Sequence, residues 1–162
     1  MVTSMDWPIE NTLVLDCGRV ELRTRTYSNT LIEEHYSHLY PELAKLDPPG
    51  GTCIAPMFYS IYLKEPVLHI GVCNVYNNKG DEVEIGIRIF VKEYWNKGYG
   101  TDVINDMCQN IFDVYAGIKS IVLKTPVYNL RSLRCYQKCG FIKDHVADID
   151  GITMIYLRRK RR

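Results

Sequence analysis

The clearest hydrophobic pattern in the chain is a strict alternation over residues 82–91. Every odd position of this segment carries a β-branched residue: Val83, Ile85, Ile87, Ile89 and Val91. The even positions carry Glu82, Glu84, Gly86, Arg88 and Phe90. Because successive side chains of a strand point to opposite faces, this period of two predicts a strand with one face on a hydrophobic core.

Apolar positions spaced three to four residues apart predict helices elsewhere in the chain. One helix is predicted over residues 103–115, where the recurring positions are Ile104, Met107, Ile111 and Tyr115. Another begins after Asn129, a residue type favoured at the N-cap, and ends at Gly140, a type favoured just after a helix. Two further helices are predicted at residues 28–39 and 41–46.

The remaining apolar runs are short and bounded by turn residues, which is typical of strands. They lie at residues 19–26, 57–64, 67–76, 120–125, 141–146 and 152–157. With residues 82–91 they give about seven strands and about four helices. This order of elements predicts an α+β fold in which helices flank a central mixed sheet.

Length and composition narrow the class of protein. The chain has 162 residues, of which 46% are hydrophobic and 24% charged, and its net charge is +1. These values exclude a disordered chain, a collagen-like repeat and a small disulfide scaffold. They predict one folded domain, which we place at residues 1–157.

The charge is distributed unevenly along the chain. Residues 158–162 are all basic, and without them the sequence is net acidic. We expect these five residues to form a basic C-terminal tail. Three interpretations are open: a solvated end, a contact with nucleic-acid phosphates, or an extension of the last strand that meets an acidic partner.

Other sequence features predict the compartment and exclude a metal site. No segment reaches the roughly 20 apolar residues that a membrane-spanning helix needs, and no export signal is visible. The six cysteines include no CxxC pair, so reduced thiols and a cytoplasmic protein are predicted. The four histidines are dispersed, and we predict no metal.

Two glycines between the alternating strand and the following helix are the first candidate for chemistry. The segment is Lys97-Gly98-Tyr99-Gly100-Thr101. Glycines at a helix N-terminus let backbone N–H groups converge on an anion such as a diphosphate. Neither the dinucleotide fingerprint nor the P-loop motif is matched. A tight turn without a ligand is the alternative interpretation.

The surrounding residues make this pattern more specific. Residues 95–100 match the loop Q/R-x-x-G-x-G/A at Gly98 and Gly100. The first position departs from the motif, because it is Trp95. A second series follows about 30 residues later: Asn129, Ser132, Tyr136, Gly140 and Phe141. This combination resembles the GNAT superfamily of acetyl-CoA-dependent N-acetyltransferases over nearly the whole chain. Tryptophan at the first loop position is similar to the branch that contains ribosomal-protein N-terminal and polyamine acetyltransferases.

The resemblance implies a binding site for acetyl-CoA. In the family the loop amides bind the pyrophosphate of coenzyme A, here those of Asn96, Lys97, Gly98, Tyr99, Gly100 and Thr101. The splayed strand binds the pantetheine through its main chain, here at Ile89, Phe90 and Val91. Asn129 and Ser132 are expected to contact the cofactor, although both also suit an ordinary helix N-terminus.

The resemblance also implies catalytic roles. Tyr136 corresponds to the general acid that protonates the departing thiolate of coenzyme A, a task that a phenol with a pKa near 10 suits. Glu84 is the candidate base for the acceptor amine, with Glu82 as the alternative. A structural hydrogen-bonding role for Glu84 is the competing interpretation.

The predicted function is direct transfer of an acetyl group from acetyl-CoA to a primary amine of a peptide or small molecule. An acyl-enzyme on Cys135 or Cys139 is disfavoured because the sequence pairs neither cysteine with a histidine. The alternatives are a catalytically inactive coenzyme A-binding module and, less favoured, a nucleic-acid-binding module using residues 158–162.

The resemblance also implies where the acceptor binds: residues 28–51 would form the wall of the acceptor site. Homodimers are common in the family. No membrane partner is predicted.

Overall fold

The computed structural model describes residues 11–26, 31, 53–77 and 80–162. The helices predicted at 28–39 and 41–46, and the segment expected to wall the acceptor site, therefore lie outside the described residues, apart from Leu31. Within the described residues the predicted α+β class is confirmed: eight strands form one sheet, and two α-helices pack with it.

The strands follow the hydrophobic runs closely. Their bounds are β1 Leu13–Cys17, β2 Val20–Thr24, β3 Cys53–Leu63, β4 Leu68–Asn77, β5 Glu82–Ile89, β6 Ser120–Pro126, β7 Ile142–Ile149 and β8 Ile152–Lys160. The helices are α1 Tyr99–Val114 and α2 Leu130–Lys138. The order of strands across the sheet is β1-β2-β3-β4-β5-β6-β8-β7. Every neighbouring pair is antiparallel except β5 and β6.

The predicted splay of the alternating strand is confirmed. Strands β5 and β6 are paired only from Glu82↔Ser120 to Glu84↔Val122. Beyond Glu84, strand β5 remains paired with β4 as far as Ile89, but it is no longer paired with β6. A gap therefore opens between the two parallel strands at their carboxyl ends, which is where ligands bind in sheets of this kind.

The alternation in β5 has the expected cause. Val83 and Ile85 are buried in the hydrophobic core, together with Ile104, Met107 and Ile111 of helix α1. The helix begins at Tyr99, four residues before the predicted start. The glycine-containing loop therefore supplies the first turn of the helix itself.

The first hairpin differs from the prediction. A single strand was expected over residues 19–26, whereas the chain forms β1, a turn at Gly18 and Arg19, and then β2. Leu13 and Val14 of β1 are exposed, so this strand lacks the hydrophobic alternation that revealed the others. Gly18 has a φ of 76°, which suits a tight turn.

The C-terminal residues join the folded domain, and the expected boundary after residue 157 does not coincide with a structural one. Strand β8 continues to Lys160, and Arg158 pairs there with Glu82 and Asp144. Arg161 donates to the carbonyl oxygens of Phe112, Tyr115 and Ile118, at or just beyond the end of α1. Of the three interpretations, extension of the strand toward acidic partners fits these contacts.

Three further observations apply to the described residues. Neither of the two α-helices is long and apolar enough to cross a membrane. No group of three His, Cys, Asp or Glu side chains is arranged there to hold a metal ion. The cysteines at positions 17, 73, 108, 135 and 139 are free thiols.

Candidate active site

A cavity of about 320 Å³ occupies the gap between the splayed strands. Its walls come from the end of β5, the loop before α1, the first turn of α1, the end of β6 and helix α2. Nine residues predicted for the site line it: Ile89, Asn96, Gly98, Tyr99, Gly100, Thr101, Asn129, Ser132 and Tyr136. The topology thus brings the two sequence motifs, about 30 residues apart, to one cavity.

The loop residues form an open helix N-terminus. Gly98 is the N-cap of α1 and has a φ of 85°, in the left-handed region that glycine adopts without strain. No side chain caps this end of the helix. The N–H groups of Tyr99, Gly100 and Thr101 belong to the first turn, which has no intrahelical acceptors for them. Three backbone donors and the positive end of the helix dipole therefore suit an anionic ligand.

Trp95 connects this loop to both sides of the cavity. Its indole Nε1 donates a 2.7 Å hydrogen bond to the carbonyl oxygen of Ile89, at the end of β5. The guanidinium of Arg131, on helix α2, lies 3.4 Å from the centroid of the indole ring. Tryptophan, the one departure from the loop motif, thus bridges the splayed strand and the helix opposite.

Helix α2 presents Asn129, Ser132 and Tyr136 to the cavity. The side chain of Asn129 accepts from the Ser132 backbone N–H at 3.3 Å, so the N-cap role is present. Tyr136 is 5% exposed. Burial raises the pKa of its phenol well above the usual range, and a hydrogen bond with the Ser132 side chain opposes part of this rise. The phenol therefore stays protonated at physiological pH.

Cys135 is a residue of this cavity that sequence analysis did not assign to the site. Its Sγ lies 3.4 Å from the Thr101 hydroxyl, and an added Cβ on Gly100 would lie 3.6 Å from it. Hydrogen bonding with Cys139 and with Thr101 lowers the pKa of Cys135 to about 7, although burial opposes the shift. The cavity thus contains a half-buried, acidic thiol.

Four basic side chains of the cavity were also missed: Lys124, Arg131, Arg134 and Lys138. Three of them lie on α2 at spacings of three and four residues, which places them on one helix face. Their spacing in the sequence is the signal that could have revealed this basic face. It gives the cavity a positive wall opposite the open helix N-terminus.

Four predicted residues do not line the cavity. Phe90 and Val91 are buried in the core, and the Phe90 N–H is bonded to the Ile70 carbonyl oxygen at 2.9 Å. The ammonium group of Lys97 lies 5.3 Å from the Tyr94 ring centroid. Glu84 forms a 3.1 Å ion pair with Lys124. Of the three strand residues predicted to bind the cofactor, only Ile89 lines the cavity. The other strand residues in its wall are Gly86, Ile87 and Arg88.

Residues 23–142 match the model of one protein family, the acetyltransferase (GNAT) domain. The chain belongs to the GNAT family. No curated protein sequence matches this acetyltransferase-family chain. The matched residues include the splayed strand, the glycine loop and Tyr136.

Solved structures of other GNAT-fold proteins resemble the chain over nearly its full length. A GNAT acetyltransferase from Bacillus anthracis is 17% identical, with a TM-score of 0.75 and coverage of 90% of this chain and 96% of that one. The ribosomal-protein-S5-alanine acetyltransferase of Vibrio fischeri is 15% identical, with a TM-score of 0.72 and coverage of 90% and 95%. AAC(6')-Ib in complex with paromomycin and acetyl-CoA is 18% identical, with a TM-score of 0.73 and coverage of 89% and 94%. At these identities the likeness establishes the fold.

Proposed function

We propose that the protein transfers the acetyl group of acetyl-CoA to a primary amine of a peptide or small molecule. One observation carries the proposal: an uncapped helix N-terminus and a buried tyrosine face the same cavity between two splayed parallel strands. Membership of the acetyltransferase family supports it, as do relatives whose structures contain acetyl-CoA or coenzyme A.

The residues of the cavity fit coenzyme A. The first-turn amides of α1 suit its pyrophosphate, and Arg131, Arg134 and Lys138 supply positive charge near it. The strand residues from Gly86 to Ile89 offer main-chain groups along the splay for the pantetheine arm. Asn129 and Ser132 are the side chains proposed to contact it. Bound acetyl-CoA would supply the thioester as the acyl donor.

Tyr136 is the proposed acid. Its phenol is buried, remains protonated and borders the cavity, so it can donate a hydrogen bond where thiolate charge develops. The raised pKa makes complete proton transfer harder than for a solvated phenol. Stabilisation of the leaving sulfur by hydrogen bonding is therefore the main contribution that we assign to this group.

Glu84 is less suited to act as the base. Its carboxylate is nearly buried and paired with Lys124, and Lys124 rather than Glu84 borders the cavity. The fallback, Glu82, is likewise engaged, by Ser120 at 3.1 Å and by Arg158. We propose a structural role for Glu84, in which its pair with Lys124 fixes the point where the strands separate, and we assign the amine proton to solvent at the cavity mouth.

The test is an acetyl-transfer assay that follows release of free coenzyme A thiol. The purified chain would be tested with an N-terminal peptide, a lysine peptide, a polyamine and an aminoglycoside, alongside coenzyme A binding by calorimetry. Turnover with at least one amine class is expected. Binding of coenzyme A without turnover on any of the four would favour an inactive binding module, whereas absence of binding would overturn the proposal.

A further inference from the structure

Arg19, in the turn between β1 and β2, contacts the glycine loop from outside the cavity. Its Nε and Nη2 donate to one carboxylate oxygen of Asp102, at 2.9 Å and 2.7 Å. Its Nη1 donates to the carbonyl oxygen of Lys97 at 3.0 Å. The guanidinium also lies 4.7 Å from the centroid of the Tyr99 ring. One side chain thus contacts residues on both sides of Gly98.

The contact is close enough to constrain the residue at position 98. A Cβ added to Gly98 would lie 2.9 Å from the Nη2 of Arg19, closer than carbon and nitrogen pack without displacement. Gly98 already requires a positive φ for its role as N-cap. The glycine is therefore needed for the loop conformation, and it also leaves room for the guanidinium of Arg19 in its observed position.

The hairpin that carries Arg19 is held in place independently of the loop. The side chain of Asp16 accepts from the Gly18 N–H at 2.9 Å, and Lys64 of the segment after β3 pairs with Asp16 at 2.6 Å. These contacts hold the turn between β1 and β2 without any contribution from the Arg19 side chain. Arg19 therefore extends from an ordered turn toward the loop.

Asp102 supplies an electrostatic reason for the contact. It lies in the first turn of α1, beside the donors proposed for an anion. An unpaired carboxylate there would repel phosphate oxygens, because like charges at short range raise the free energy of binding. The two N–H groups of Arg19 neutralise this carboxylate.

We infer that Arg19 is a positioning residue for coenzyme A: it holds Lys97 and Asp102 on either side of Gly98 and neutralises the carboxylate next to the anion site. The inference rests on the proposed function. It assigns to the first hairpin, which contributes no residue to the cavity wall, a role in shaping the pyrophosphate loop.

The test compares Arg19→Ala, Arg19→Lys, Asp102→Asn and the double variant Arg19→Ala/Asp102→Asn with the unmodified chain. Coenzyme A binding is measured by calorimetry, kcat and KM by thiol release, and loop order by hydrogen exchange of the residue 97–102 amides without ligand. Lys119→Ala is the matched control, because Lys119 forms an exposed 3.0 Å ion pair with Asp81 away from the loop.

We expect Arg19→Ala to raise the Kd of coenzyme A and the KM of acetyl-CoA about tenfold, with kcat within about twofold, as loss of a forked charge-assisted contact predicts. Exchange of the loop amides should become faster. Arg19→Lys keeps the positive charge but loses the paired N–H donors of the guanidinium, so an increase of about threefold in the Kd of coenzyme A is expected. The double variant should bind more tightly than Arg19→Ala alone, and Lys119→Ala should match the unmodified chain.

The outcomes separate this inference from the proposed function. If the unmodified chain does not bind coenzyme A, the proposed function and the binding role of Arg19 both fall, whatever the exchange data show. If it binds and Arg19→Ala binds equally well with unchanged loop exchange, only the positioning role is overturned. A double variant no better than Arg19→Ala overturns the neutralising role of the guanidinium.

Discussion

The guanidinium of Arg131 lies over the indole ring of Trp95, 3.4 Å from its centroid, while the indole N–H is bonded to the end of β5. We expect Trp95→Ala to raise the KM of acetyl-CoA about tenfold, because the end of β5 and helix α2 lose the side chain that contacts both. Trp95→Phe keeps a ring beneath Arg131 but no donor, and an increase of about threefold is expected. Steady-state kinetics test this; equal KM values for both variants and the unmodified chain would refute the bridging role.

Replacing the phenol of Tyr136 should affect the chemical step. Tyr136→Phe is expected to lower kcat about 100-fold with little change in the KM of acetyl-CoA, since loss of one hydrogen-bond donor to the charge that develops in a transition state costs about 10²–10³-fold in rate. Tyr156→Phe is the matched control, because Tyr156 stacks on His145 and does not line the cavity. A kcat within threefold of the unmodified value would remove Tyr136 from the mechanism.

Glu84 should matter for stability more than for turnover. Glu84→Gln removes the negative charge that faces the nearly buried ammonium of Lys124, so we expect the free energy of unfolding to fall by about 2–4 kcal/mol. Urea unfolding measures the loss, and Glu84→Gln/Lys124→Met should recover most of it. If Glu84→Gln instead leaves stability unchanged and lowers kcat about 100-fold, Glu84 is the general base.

Cys135 should react as a thiolate near neutral pH. With a pKa of about 7, its rate of alkylation by iodoacetamide should rise as the pH passes through 7 and level off above 8. Saturating coenzyme A should protect it, because Cys135 borders the cavity. Mass spectrometry locates the label, and buried Cys108, whose pKa burial raises to about 12, is the internal control. An alkylation rate of Cys135 that saturating coenzyme A does not change would contradict the placement of the ligand.

Arg161 should stabilise the C-terminal end of α1. Its guanidinium donates to three carbonyl oxygens at or beyond the end of that helix. Arg161→Ala is therefore expected to lower the free energy of unfolding by about 1–2 kcal/mol. Arg162→Ala, which changes an exposed neighbouring arginine, should have little effect in the same thermal and urea unfolding experiments. Equal stabilities for the two variants would mean that the hydrogen bonds of Arg161 do not stabilise the end of α1.

The features predicted well from the sequence are those that depend on local pattern. The alternation at residues 82–91 predicted β5 because burial of one face leaves a period of two. The glycine loop and Tyr136 were assigned to one site because the motif spacing is characteristic. Strand β1 was missed because its exposed residues carry no such periodicity.

Contacts between distant residues were not predictable in the same way. Arg19 and Asp102 are 83 positions apart, and nothing in either local sequence indicates their pairing. The family resemblance makes Glu84 the candidate base, but its pair with Lys124 depends on the register of β5 and β6, which the sequence does not show. The sequence of residues 158–162 leaves three interpretations open, and strand pairing decides among them because it fixes where Arg158 lies.

The short parallel seam between β5 and β6 divides the sheet into two blocks. Strands β1 to β5 form one uninterrupted antiparallel block, and β6, β8 and β7 form another. Three residue pairs of the two strands join them, preceded by hydrogen bonds from the Lys119 and Ser120 N–H groups to the Asp81 carbonyl oxygen. The side chains of Glu82 and Glu84 reach across the same seam. The pairing ends at Glu84, so beyond that residue the two blocks are joined by side-chain contacts such as that of Arg131 on Trp95 rather than by strand hydrogen bonds.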